Sequence, residues 1–90
     1  MMEKAEKHQK AVEFRNRITF PEQRKCAISE LIEKRSYSEA DQVRLGVLFQ
    51  KTSYLEGCEH EYRLLIARIK DDSGVAIDRK KLSSFEAKLH

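Results

Sequence analysis

Apolar residues recur along this chain at three- and four-residue spacings, a period that predicts helices almost from end to end. Over residues 3–18, Ala11, Phe14 and Ile18 fall on one narrow stripe, with Ala5 and Val12 beside it. The residues between them are largely Glu, Lys, Ala and Gln, which favour helices. Residues 20–35 carry a second stripe of Ala27, Ile28, Leu31 and Ile32, continued by Phe20. The third stripe is the longest, over 39–70, and holds Val43, Val47, Leu48, Tyr54, Leu55, Cys58, Tyr62, Leu65, Ile66 and Ile69. A short last helix is predicted over 78–89, with Leu82, Phe85 and Leu89 on its apolar side. The predicted fold is all-α: a helical hairpin or a small bundle of three to four helices with a long third helix, in one domain over residues 1–90.

Polar punctuation sets the predicted boundaries. Thr19-Phe20-Pro21-Glu22 reads as a helix start, with Thr19 as cap, Glu22 reaching back in a capping box, and Pro21 in the first turn, where its missing N–H costs nothing. Ser38-Glu39-Ala40-Asp41 and Asp78 are two further cap signals. Asp71-Asp72-Ser73-Gly74 closes the long stretch, because two carboxylates oppose a negative helix end and Gly74 suits a left-handed cap. As one rod, 39–70 would be about 48 Å long, against about 30 Å for the width of so short a chain when folded. Either the rod protrudes and pairs with something, or it breaks near Gly57-Cys58-Glu59, where a helical glycine costs roughly 1 kcal/mol relative to alanine.

Composition narrows the class. The chain is 40% apolar and 37% charged, with no tryptophan, one proline and three glycines, too few turn signals for a many-stranded sandwich or barrel. The net charge is +3. The signs alternate through residues 3–17, as on a solvated helix face, whereas a dedicated nucleic-acid surface gathers its cations. Lys34-Arg35 and Arg79-Lys80-Lys81 are the two short basic groupings. Cys26 and Cys58 have 31 residues between them and form no CxxC, which points to reduced thiols. The start Met1-Met2-Glu3-Lys4 has no apolar run of the signal-peptide kind. No uncharged apolar run approaches the roughly 18 residues of a membrane span. A cytoplasmic protein with no membrane association is expected.

The densest polar cluster is Glu56, Cys58, Glu59, His60 and Glu61. On a helix Cys58 and His60 point about 200° apart, and neighbouring carboxylates raise a thiol's pKa, so a Cys–His nucleophile pair does not assemble. His8, His60 and His90 are scattered, without HxxxH, HExxH or CxxC spacing, and there is no Gly-rich phosphate loop. No catalytic group, metal or cofactor is therefore expected. Tyr54 and Tyr62, eight residues apart, share a helix face, and tyrosine is enriched at interface hot spots. The expected function is that of a small non-enzymatic interaction protein (regulator, adaptor or chaperone). It would bind a partner protein, or a second copy, through Val47, Tyr54, Cys58, Tyr62, Leu65 and Ile69. Core packing is the competing assignment for Tyr54 and Tyr62, and a buried thiol for Cys58.

Residues 14–20, Phe-Arg-Asn-Arg-Ile-Thr-Phe, also alternate as a short strand would. Read that way, Arg15-Asn16-Arg17-Ile18-Thr19-Phe20, the Pro21-Glu22 helix start, Ile28, Leu31 and Ile32, and Val43-Arg44-Leu45-Gly46 resemble the ribbon–helix–helix family of repressors and antitoxins. The resemblance spans about a third of the chain. It implies a dimeric DNA-binding regulator with Arg15, Arg17 and Thr19 entering the major groove. Asn16 and Arg24 stand where that family has core residues, and buried polar groups need partners. Glu61-Tyr62, Leu65-Ile66 and Ala67 are similar to the third helix of KIX coactivator domains. Ile32-Glu33-Lys34, Tyr37 and Asp41 resemble the small Hha-type partners of nucleoid proteins. The hairpin outline with Leu55-Glu56-Gly57 resembles small type III secretion chaperones. What these helical families share is an apolar helix face that binds a partner.

Overall fold

In a computed structural model, which describes residues 3–72 and 74–90, the chain forms α1 (Lys4–Arg17), α2 (Pro21–Glu33), α3 (Glu39–Leu48), a single 3-10 turn (Thr52–Leu55), α4 (Glu59–Lys70) and α5 (Arg79–Lys88). There is no strand among the described residues. The first two helices and the last lie close to their predicted places. The long third helix does not form, and its span is broken twice, at 49–51 and at 56–58.

Each break has a local cause. At the first, Phe49 ends α3 with its N–H on the Leu45 carbonyl. The Leu48 carbonyl left over by the helix end accepts the Tyr62 hydroxyl at 2.6 Å. Helix ends leave such carbonyls unpaired, and a buried one needs a donor. Tyr62 is fully buried, and burial raises its hydroxyl pKa far above the ordinary tyrosine value, so it remains a donor. At the second break Gly57 has φ +77°, the left-handed conformation that glycine adopts without strain. A Cβ there would stand 3.1 Å from Pro21 Cβ. Gly57→Ala is expected to lower stability by roughly 1–2 kcal/mol, from backbone strain and this contact together, in a urea titration.

Of the other caps, those at Ser38 and Asp78 form where the sequence places them, whereas those at α2 and Gly74 depart from the expected pattern. Ser38 and Asp41 form the full capping box: Asp41 N–H donates to Ser38 Oγ at 3.2 Å and Ser38 N–H to Asp41 Oδ2 at 3.0 Å. Asp78 caps α5 by accepting from Lys80 N–H at 2.9 Å. At α2 the cap shifts by one residue. Phe20 is the N-cap, its N–H donates to Gln23 Oε1, and the Thr19 hydroxyl turns back to the Asn16 carbonyl. Gly74 is not a left-handed cap, since Gly57 is the one glycine with positive φ among the described residues. The Asp72 carboxylate instead accepts from Gly74 N–H at 2.9 Å. Ser73, part of the predicted stop signal, and Met1-Met2 lie outside the described residues.

With the rod broken, α1 packs on α3 and α2 on α4. Pro21 lies against Cys58, and the Lys34 and Arg35 carbonyls accept from Arg68, so α2 and α4 run parallel. Phe14, Ile18, Ile28, Leu31, Leu45, Leu48, Leu65 and Ile69 belong to one buried cluster. The radius of gyration is 12.3 Å, close to the roughly 12 Å of a compact chain this long. The longest dimension is 37 Å, so a rod of about 48 Å has no place in it. The first two turns of α1, Lys4 to Lys10, bury nothing.

Asp41 is the one buried carboxylate among the described residues. Burial alone would raise its pKa. The Lys34 ammonium at 2.7 Å and the N–H and hydroxyl of Ser38 outweigh that and hold it below the ordinary aspartate value, with Arg44 also at 2.8 Å. A folded-state pKa below the unfolded one stabilises above the unfolded value, near pH 4, and that stability is lost as pH falls through the folded value. Asp41→Asn is therefore expected to cost roughly 1–2 kcal/mol at pH 7. The difference from the parent protein should shrink when urea titrations are repeated between pH 5 and pH 2.

Candidate functional site

Five of the six residues expected to bind a partner lie inside the molecule. Val47, Cys58, Tyr62, Leu65 and Ile69 are buried, and Tyr54 is half-buried on the 3-10 turn. This corrects the assignment of that stripe to a docking face. The stripe was too long to cover only while it was straight. Folded back at two turns, it is covered by α1, α2 and α5, and becomes the core. Cys58 donates its S–H to the Pro21 carbonyl at 3.3 Å, and burial raises the thiol's pKa, which works against a thiolate.

The DNA-reading ribbon is likewise overturned. Residues 14–17 are the last turn of α1, so no strand pair can form there. Arg17 is exposed on that turn, Arg15 is half-buried with its Nε enclosed and unpartnered, and Thr19 is held to the Asn16 carbonyl.

Instead, the interhelix turn 18–20, the 3-10 turn and the second break meet around Arg24. This residue is 6% exposed, one turn into α2. Its Nε donates to the Ile18 carbonyl at 2.9 Å and its Nη2 to the Thr19 carbonyl at 3.4 Å. Its Nη1 donates to the Tyr54 carbonyl at 2.6 Å and the Glu56 carbonyl at 3.3 Å. The planar guanidinium, with donors on several sides, is the side chain that can serve two loops at once. It also lies 5.3 Å from the centre of the Tyr54 ring, within cation–π range. The polar residue that spoiled the family pattern at position 24 is thus the clasp of this corner.

One side chain on the clasped turn stands in solvent. Phe20 is 64% exposed, whereas Phe14, Phe49 and Phe85 are all in the core. Its neighbour Ile18 is fully buried, Pro21 follows it at the first position of α2, and its own N–H is fixed by Gln23 at 3.1 Å. Leaving a phenylalanine in water forgoes roughly 2 kcal/mol of burial energy. By spacing alone Phe20 belongs to the apolar side of α2, and Arg24 is not among the candidate site residues that the sequence marks. The one signal available was the pair itself, a charged residue on a core stripe four positions after a phenylalanine at a helix start.

Among the described residues no group of three or more His, Cys, Asp and Glu side chains is placed to hold a metal ion. No helix there is long and apolar enough to cross a membrane. The fold and this corner define the class, a compact all-α protein presenting an aromatic side chain on a braced interhelix turn. No protein-family model, curated protein or solved structure matches the chain.

Proposed function

We propose that this is a small non-enzymatic interaction protein, an adaptor or regulator, that anchors a partner protein by inserting Phe20 into an apolar pocket on that partner. The reading keeps the function expected from the sequence and moves its contact from the buried stripe to the turn at 18–20. One observation carries it: a phenylalanine exposed on a turn braced by a buried arginine. Functional contacts concentrate on loops held by a rigid scaffold, and a residue whose backbone is already fixed loses less freedom when a partner closes over it.

The test is site-specific. p-Benzoylphenylalanine placed at position 20 is expected to give one discrete photo-adduct in an extract of cells that express the protein. Excess parent protein should compete the adduct away, and Phe20→Ala protein should not. The same photo-probe at exposed Val12 should give no such adduct. Equal competition by the Phe20→Ala protein, or the same adduct from position 12, would overturn the reading.

A further inference from the structure

Lys51 stands just before the 3-10 turn, and Lys80 and Lys81 lie in the first turn of α5, 29 residues further along the chain. The fold packs these two segments together. The three lysines line an open, shallow hollow of about 470 Å³ together with Thr52, Ser53 and Ser84. Phe49 and Phe85 form the floor, and no carboxylate lines it. Asp78, the nearest acid in the sequence, is occupied as the cap of α5.

We propose that this hollow binds a phosphate group, as a phosphate ester or a diphosphate. None of the three lysines has an ion-pair partner among the described residues, whereas Lys34, Arg44, Arg68 and Lys70 are all paired. Like charges around one concave surface repel, and the low-dielectric floor focuses their field. Lys80 and Lys81 also sit where a helix's own dipole disfavours cations. An anion in the hollow relieves both costs. The hydroxyls supply short donors that complete a tetrahedral oxyanion's shell. The rings of Phe49 and Phe85 are 1% and 2% exposed, too enclosed to stack on a base, so the site recognises the phosphate and not what it is attached to. This site is independent of Phe20.

Inorganic phosphate, pyrophosphate and a twelve-nucleotide oligothymidine are titrated into the labelled full chain, with amide shifts followed at constant ionic strength. Saturable shifts confined to 50–53 and 80–84 are expected, with pyrophosphate tighter than phosphate. Lys51→Gln/Lys81→Gln is expected to weaken pyrophosphate binding by about tenfold or more. Lys4→Gln/Lys7→Gln, which removes the same net charge from exposed α1, should leave it unchanged. Oligothymidine binding tighter than pyrophosphate assigns the phosphate to a nucleic-acid backbone. Binding no tighter assigns it to a small phosphorylated molecule, and either result supports the site. Unsaturable shifts spread over all lysines, or equal weakening in the two double variants, would overturn it.

Discussion

Arg24→Met is expected to destabilise the protein by roughly 3 kcal/mol, lowering its thermal midpoint by roughly 15 °C for a chain this small. Two effects oppose each other. Removing a buried guanidinium recovers its desolvation cost, and methionine keeps much of the apolar stem, so exchange of a buried charge for a hydrophobe is sometimes neutral. Here the charge is not balanced by a carboxylate. It is spent on backbone carbonyls of Ile18, Thr19, Tyr54 and Glu56, and methionine leaves all four without that donor. The bonds to Ile18 and Tyr54, at 2.9 and 2.6 Å, are the short ones and carry most of the loss. Water can replace the donor at exposed Thr19 and Glu56 and keeps the total from growing further. Arg24→Lys, with one point-like ammonium, should retain one loop and fall about halfway. Amide exchange should rise first at 18–20 and 54–57. Phe20→Ala, in contrast, should change stability by less than about 0.5 kcal/mol, because that side chain packs on little. A methionine variant within about 1 kcal/mol of the parent would show that the clasp is incidental.

The helices were legible because periodicity and caps agree. The Ser38–Asp41 box and the Asp78 cap are purely local, and both formed as written. The interruption of 39–70 was half legible. Gly57 marked the second break, but nothing local marks the first, where Val47, Leu48 and Phe49 continue an apolar run. That break depends on a distant donor, the Tyr62 hydroxyl on the Leu48 carbonyl, and on Phe49 reaching the rings of Tyr62 and Phe85 at 5.6 and 4.9 Å. The stripe was therefore correctly seen as one apolar surface and wrongly given a straight axis. The same limit explains Arg24: a charge on a core stripe looks like a flaw until the carbonyls 30 and 32 residues away are seen to meet it. Lys51 escaped notice because its companions, Lys80 and Lys81, are neighbours only in the folded chain.

Phe85→Ala should lower global stability by roughly 3 kcal/mol and, more tellingly, undock α5 before the rest unfolds. Phe85 is the only buried side chain on that helix. Its ring closes a three-way aromatic contact with Phe49 and Tyr62, whose centres lie 4.9 and 5.6 Å away. The remaining attachments are thin. Leu82 and Leu89 are half-buried, Lys70 and Glu86 form a partly exposed ion pair worth about 1 kcal/mol or less, and Arg63 donates to the Leu89 carbonyl at 2.7 Å. A ten-residue helix has little stability of its own in water, so once its anchor goes, α5 has no reason to remain formed. Amide protection over 79–88 should then fall to near-unfolded values while 59–70, held by α2 and by the Tyr62–Leu48 bond, stays protected. The loss would also dismantle the hollow between Lys51 and Lys80-Lys81 without touching a lysine, so the localised pyrophosphate shifts should vanish together with α5 protection. Uniform loss of protection across 59–88 would instead mean that α5 and α4 unfold as one unit, and that the aromatic contact is part of the main core.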